Sequence, residues 1–112
     1  MEYAQNKESM KLKHPFSEET RLRFIFCTNC FRCGKGTNSR DAHHVLGRIS
    51  SSPLNLAVLC TDCHIENHTQ KPFTEEEKSN LLKTTIRFLV KEKYQFNEKD
   101  IDFYEKHKKY YE

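Results

Sequence analysis

The chain has 112 residues with a net charge of +3, and 31% of them are charged against 36% hydrophobic, so we expect one small domain that needs a stabilising element beyond its apolar core. No stretch approaches the ~20 apolar residues of a membrane span, and no apolar run near the N-terminus is typical of a signal peptide. We therefore expect a soluble, cytoplasmic protein, where disulfides are disfavoured and clustered cysteines are more typical of metal sites.

The first predicted element is a short helix in an N-terminal extension, residues 1–26. Ser17 is of the N-cap type and is followed by two acidic residues, which favours a helix to about Ile25. A central unit is predicted over residues 27–72. It begins with the turn-rich stretch CTNCFRCGKGTNSR and continues with two short strands, one in DAHHVLG and a buried one in NLAVLC, before a helix in CTDCHIENH.

A C-terminal helical extension is predicted over residues 73–112. Thr74 and Glu77 have the spacing of a capping box and predict the start of a long helix. A second helix is predicted from about Asn97, with Ile101 and Tyr104 along one of its faces. The first of these helices carries an apolar stripe at helical period, made of Leu82, Ile86, Leu89 and Val90.

Two C-x2-C pairs predict a structural zinc site. Four thiolates around Zn²⁺ form a closed tetrahedral site, and a C-x2-C turn lets two sulfurs reach one ion. Glycine directly after Cys33 favours Cys30 over Cys27 as its partner, which leaves Cys27 as a spare thiol or an alternative ligand. A Cys₃His site completed by a histidine remains an alternative. The predicted zinc ligands are Cys30, Cys33, Cys60 and Cys63.

Four of the six histidines fall within a short part of the central unit: His43, His44, His64 and His68. His64 and His68 are four positions apart in the sequence and lie on one face of a helix, where together they can bind one cation. His64 directly follows Cys63, so the two side chains are about 100° apart around the helix axis. One helix can therefore present a cysteine to one metal and two histidines to another.

A basic window over residues 21–48 favours a polyanionic partner such as nucleic acid. It contains six basic residues and one acid, Asp41. An ordinary solvated basic surface is the alternative. The candidates for contacts with phosphate are Arg32, Lys35, Arg40 and Arg48.

Order, spacing and residue type together resemble the HNH endonucleases. The resemblance is carried by the adjacent pair His43 and His44, by Asn55, and by Cys60-x-x-Cys63-His64-x-x-x-His68. The preceding CxxCGK motif, from Cys30 to Lys35, resembles the zinc-bound form of that family, and the match covers roughly residues 27–70. It implies an α+β fold with a zinc-stabilised ββα-metal core and flanking helices at both ends. The segment between His44 and Asn55 departs from many members, because it is shorter and lacks their Gly-Gly turn.

The resemblance also implies roles for the site residues. His44 would be the general base, while His43, His64 and His68 would bind the catalytic metal. Asn55 would tie the hairpin loop, and Asp41 would orient an imidazole or a ligand water. Mg²⁺ or Mn²⁺ is expected to support activity, with Ni²⁺ and Zn²⁺ as alternatives that imidazole ligands favour.

The expected activity is metal-dependent hydrolysis of double-stranded DNA that leaves 3′-hydroxyl and 5′-phosphate ends. Stand-alone units of this kind resemble phage or mobile-element proteins. The sequence leaves the oligomeric state open, and a homodimer is one alternative. The alternatives are a non-catalytic zinc module that binds nucleic acid and an adaptor that binds other proteins through its tyrosine-rich C-terminal helices.

Overall fold

Helix α1 (Glu18–Cys27) begins where the sequence predicts, because the hydroxyl oxygen of Ser17 accepts a hydrogen bond from the backbone N–H of Thr20 at 3.1 Å. The structure, a computed structural model, describes residues 14–36 and 39–112. The first part of the predicted N-terminal extension, residues 1–13, lies outside the described residues. The chain then passes through the first cysteine pair into the sheet.

The sheet consists of two antiparallel strands, β1 (Arg40–His44) and β2 (Leu56–Cys60), at the two places where the sequence predicts strands. Its register pairs the first residue of each strand with the last residue of the other. The connection contains Gly47, whose φ of +89° favours glycine, and a 3₁₀ turn over Pro53–Asn55. All residues of β2 are buried, so this strand is the centre of the core.

The edge of β2 that faces away from β1 is covered by two other parts of the chain. The carbonyl oxygen of Val58 accepts a hydrogen bond from the backbone N–H of Phe31 at 2.7 Å. The carbonyl oxygen of Leu56 accepts one from the hydroxyl of Thr85 at 2.6 Å. Because unpaired backbone groups on a strand edge are costly when buried, these bonds fix the position of the first cysteine pair and of a C-terminal helix against the sheet.

Three further helices follow the sheet. Helix α2 (Thr61–Thr69) begins directly after β2, and helix α3 (Glu75–Lys91) begins with the predicted capping box of Thr74 and Glu77. Helix α4 (Glu98–Lys106) begins with a second capping box and is followed by a 3₁₀ turn over Lys108–Tyr110. The predicted starts of both C-terminal helices are confirmed.

The predicted buried face of α3 is partly wrong. Leu82 and Leu89 are buried, but Val90 is 61% exposed, and Leu81 and Thr85 are buried in its place. The helix is turned in this way because Thr85 donates its hydroxyl to β2, which brings the face around that residue against the sheet.

The most deeply buried residues of α4 are not on the face of Ile101 and Tyr104. Asp100 and Phe103 are buried, whereas Ile101 is 53% exposed. The buried carboxylate of Asp100 accepts hydrogen bonds from the hydroxyl of Ser52 at 2.6 Å and from that of Tyr94 at 2.9 Å. A buried carboxylate needs such donors, and they hold this face of α4 against the loop between the strands.

The described residues therefore form an α+β structure with four α-helices and one two-stranded antiparallel sheet. The core is formed by β2 together with apolar residues of the helices, among them Phe24, Leu82 and Phe103. No helix in the described ranges is long and apolar enough to cross a membrane.

Candidate metal centres

Four cysteines from separate elements converge at one point, and together they are called the sulfur cluster here: Cys30, Cys33, Cys60 and Cys63. Their sulfur atoms all lie within 4.8 Å of one another, and Cys33 Sγ lies 3.7 Å from Cys60 Sγ. Zinc bound at about 2.3 Å by a tetrahedron of sulfurs requires neighbouring sulfurs about 3.8 Å apart. The sulfur cluster is thus close enough to bind one structural metal ion such as zinc.

The turn between Cys30 and Cys33 is built to present sulfur to a cation. The backbone N–H of Cys33 donates to Cys30 Sγ at 3.4 Å, and that of Gly34 donates to the carbonyl oxygen of Cys30 at 2.9 Å. Gly34 has a φ of +81°, a conformation that a residue with a side chain adopts only under strain. This geometry explains why glycine follows the second cysteine.

The pKa values of the cysteine thiols are shifted in opposite directions. Burial raises the pKa of Cys30, but backbone N–H donors outweigh it and lower the pKa of this thiol to about 6. Burial and hydrogen bonds from the neighbouring thiols raise the pKa of Cys63 to about 12. Cys30 is therefore the thiol whose ionisation the fold favours, and a bound divalent ion would favour the thiolate form of cysteines that coordinate it.

Cys27 is exposed at the end of α1 and is not part of the sulfur cluster. The same group of ligand atoms contains no imidazole, so the described residues favour the four-sulfur set over the Cys₃His alternative.

Three imidazoles form a second group, called the imidazole cluster here: His43, His64 and His68. His43 is on β1, and the other two are one turn apart on α2. The ring centroid of His43 lies 5.0 Å from that of His64 and 5.5 Å from that of His68. The Nε2 atoms of His64 and His68 are 3.1 Å apart, near the roughly 3.4 Å expected between nitrogens of one tetrahedral zinc.

The carboxylate of Asp41 fixes which nitrogen of His64 is available. Asp41 Oδ2 lies 3.4 Å from His64 Nδ1, and an ionised carboxylate only accepts hydrogen bonds, so Nδ1 carries the proton. The Nε2 lone pair of His64 is then directed toward His68. Carboxylates behind metal-binding histidines have this effect on ring orientation and basicity.

His43 is only 8% exposed, and its environment favours the neutral ring. Burial, followed by the two neighbouring imidazoles, lowers the pKa of His43 to about 3. The ring of Phe73 packs edge-on against it, with centroids 6.0 Å apart. His43 is therefore a neutral nitrogen donor near pH 7, which is the form that binds metals.

His44 is in a different environment from its neighbour, as the alternation of side chains along a strand requires. Its ring stacks on Phe16 with centroids 4.0 Å apart and planes 13° from parallel. Its Nε2 atom lies 2.9 Å from the backbone carbonyl oxygen of His14. A carbonyl only accepts, so Nε2 donates its proton and Nδ1 keeps a lone pair. Burial lowers the pKa of His44, and the nearby charge of Arg48 lowers it further.

Asn55 is fully buried and holds the loop between the strands. Its Oδ1 accepts from the backbone N–H of Leu46 at 2.9 Å, and its Nδ2 donates to the carbonyl oxygens of Gly47 at 2.9 Å and Ser50 at 3.4 Å. The backbone oxygen of Asn55 also accepts from Val45. The side chain contacts the loop that follows His44.

Arg40 and Arg32 form contacts within the fold. Arg40 donates to the carbonyl oxygen of Ile25 at 2.9 Å, near the end of α1. Arg32 forms ion pairs with Glu66 at 2.7 Å and Glu77 at 3.3 Å, and the first of these contacts is the largest cause of its raised pKa. These arginines join elements around the two clusters.

The other two basic candidates are exposed: Lys35 follows the first cysteine pair, and Arg48 lies in the loop between the strands. Sequence reasoning did not identify the residues that support the imidazoles, namely His14 and Phe16 at His44 and Phe73 at His43. These are tertiary contacts across long sequence distances, and no local motif marks them.

Comparisons with protein-family models, with curated proteins and with solved structures gave no match. The chemistry of the site is therefore argued from the two clusters: one has the donor set of a structural zinc site, and the other has imidazole nitrogens suited to a second cation.

Proposed function

We propose that this protein is a metal-dependent endonuclease of the HNH type, with a ββα-metal core formed by β1, β2 and α2. The observation that supports the proposal most strongly is the convergence of His43, His64 and His68 within 4.8 Å, next to a separate sulfur cluster. Two metal-ligand sets of different chemistry on one hairpin and helix are more than a structural zinc site requires.

The imidazole cluster supplies three nitrogen donors and would leave other coordination positions for water and substrate. A divalent cation bound there would stabilise the charge that develops on the phosphate and on the departing 3′-oxygen. Asp41 positions His64 for this task by holding its Nδ1 proton. Phe73 limits the movement of His43 by packing against its ring.

His44 is the proposed general base. The carbonyl of His14 holds the Nε2 proton, so Nδ1 has the free lone pair needed to accept a proton from the attacking water. The stacking contact with Phe16 fixes the plane of the ring. His43 and His44 are adjacent on β1 but lie in different environments, which would let the two rings perform different tasks.

The test is incubation of the zinc-loaded protein with supercoiled plasmid under EDTA, Mg²⁺, Mn²⁺ and Ni²⁺ in turn. We expect no cleavage with EDTA and nicking or linearisation with at least one of the ions. Products should carry 5′-phosphate ends, which a ligase joins directly.

Two variants make the test specific. His44→Ala should keep its zinc and its DNA binding and lose cleavage by two to four orders of magnitude, about the contribution of a general base. Phe26→Ala is the control, because Phe26 is an exposed aromatic side chain that belongs to neither cluster. Unchanged cleavage by His44→Ala would remove its role as base. DNA binding without cleavage under any ion would instead favour the non-catalytic zinc module.

A further inference from the structure

A cleft of about 290 Å³ lies between helix α4 and the loop that connects the strands. Its lining includes Ser50 and Ser51 on the loop, and Lys99, Lys106 and His107 on and just after α4. None of these residues belongs to the sulfur cluster or the imidazole cluster.

The cleft is lined by more basic than acidic side chains. Lys99, Lys106 and the imidazoles of His14 and His107 line it, against one carboxylate, Asp102. Asp102 pairs with Lys106 at 3.2 Å, and both side chains are mostly exposed. An exposed ion pair of this kind contributes little, so an incoming anion can compete with Asp102 for the lysine.

The two walls of the cleft are held in place by buried contacts. Ser52, directly after the loop wall, donates its hydroxyl to the buried carboxylate of Asp100 in the first turn of α4. Lys99 also donates to the hydroxyl of Ser51 at 3.2 Å. The cleft is therefore a fixed feature of the packing between α4 and the loop, and its lysines are positioned by the fold.

The cleft continues to the proposed base. His14 lines the cleft, and its carbonyl oxygen is the group that contacts His44 Nε2 at 2.9 Å. The loop that forms the other wall begins beyond Arg48, which is close enough to affect His44 electrostatically. His14 therefore connects the cleft with the proposed base.

We infer that this cleft binds the phosphodiester backbone of the DNA substrate beside the scissile phosphate. Lys99 and Lys106 are two helical turns apart on one face of α4, a rise of about 10 Å. That distance corresponds to about three nucleotide steps of 3.4 Å along a strand. The inference rests on the proposed function, because it makes α4 the part of the chain that holds the substrate while the imidazole cluster cuts it.

The charge environment of His107 supports this assignment. Burial lowers the pKa of His107, and the positive charges of Lys106 and Lys109 lower it further. Cationic groups that disfavour one another's charge in this way gain from a bound polyanion.

The experiment measures the anisotropy of a fluorescein-labelled DNA duplex with zinc-loaded, full-length protein and no added Mg²⁺ or Mn²⁺. Lys99→Gln/Lys106→Gln is compared with the control Lys78→Gln/Lys91→Gln, which removes the same charge elsewhere. The control is matched, because Lys78 is paired with a carboxylate one turn away, as Lys106 is, and Lys91 is exposed.

The cleft variant should bind DNA about tenfold more weakly at low salt, and its slope of log affinity against log salt should fall by about two, one for each lost phosphate contact. The control should stay within about twofold of the wild type. Equal losses in both variants, or none in the cleft variant, would overturn the inference. Tighter binding of polyglutamate than of DNA, lost only in the cleft variant, would overturn it in favour of an acidic protein partner.

Cleavage assays separate this inference from the proposed function. If both hold, the cleft variant has a raised KM with an unchanged kcat on plasmid. DNA binding through the cleft with no cleavage under any ion would support the cleft as a DNA site and reject the nuclease. If the cleft variant cleaves DNA and binds it with wild-type affinity, the result supports the nuclease and rejects the cleft as the DNA-binding site.

Discussion

The sulfur cluster and the imidazole cluster share helix α2 but differ in exposure. Three of the four cysteines are buried, whereas the histidines range from buried His43 to exposed His68. Cys63 and His64 are neighbours about 100° apart on α2, so one helix start serves both groups. A closed set of ligands is typical of a structural ion, and an open set leaves room for water and substrate.

The two clusters also differ in the groups that form hydrogen bonds with their ligand side chains. Backbone N–H donors surround the sulfur of Cys30, where they stabilise negative charge. A carboxylate, Asp41, lies behind His64, where it makes the ring a better donor to a cation. From this comparison we expect an ion at the sulfur cluster to stabilise the fold, and the imidazole cluster to release its ion without unfolding.

The largest expected effect comes from breaking the sulfur cluster. Cys60→Ser removes a buried ligand at the junction of β2 and α2 and should cost most of the roughly 10 kcal/mol that a structural zinc contributes to folding. Both clusters should be lost together. Zinc content and circular dichroism measure this loss, and Cys27→Ser is the control because its thiol is exposed outside the cluster. A Cys60→Ser protein that melts like the wild type would contradict the assignment.

A smaller effect is expected at the loop between the strands. Asn55→Ala removes three side-chain hydrogen bonds of a fully buried residue and should lower the free energy of unfolding by about 3 kcal/mol. The protein should still bind zinc at the sulfur cluster. Denaturant titration measures the change, and a loss below about 1 kcal/mol would mean that solvent replaces these bonds.

Asp41→Asn should weaken the imidazole cluster alone. Loss of the carboxylate behind His64 should reduce affinity for the second ion by about 10- to 100-fold, with an unchanged melting temperature. Calorimetric titration of the zinc-loaded protein with Ni²⁺ measures the affinity. The control is Asp62→Asn, because Asp62 is an exposed carboxylate on the same helix as His64. An equal loss of affinity in both variants would mean that the loss of negative charge, and not the contact with His64, causes the effect.

The smallest effect should come from Thr74→Ala, which removes the capping box of α3 and touches neither cluster. We expect a cost of about 1 kcal/mol, typical of an N-cap, with both ions still bound. Thermal unfolding monitored together with metal content would detect it. Release of either ion in this variant would show that α3 and the clusters are coupled.

Local chemistry made the elements and the sulfur cluster predictable. The caps at Ser17 and Thr74 and the two C-x2-C spacings depend on residues near one another in sequence, and the structure contains both features. The contact of His14 with His44 and the burial of Asp100 against Ser52 depend on packing across long sequence distances. Periodicity alone misjudged Val90 for the same reason, since a single hydroxyl bond from Thr85 decides which face of α3 meets the sheet.

X-ray absorption at the zinc edge tests most directly the claim that one chain has two metal sites of different chemistry. With one zinc bound, we expect the zinc ion to be coordinated by sulfur atoms alone, at about 2.3 Å. A second zinc should add nitrogen at about 2.0–2.1 Å, and His64→Ala should abolish that addition. Nitrogen in the shell of the first zinc, or a second zinc that binds equally well to His64→Ala, would contradict the account.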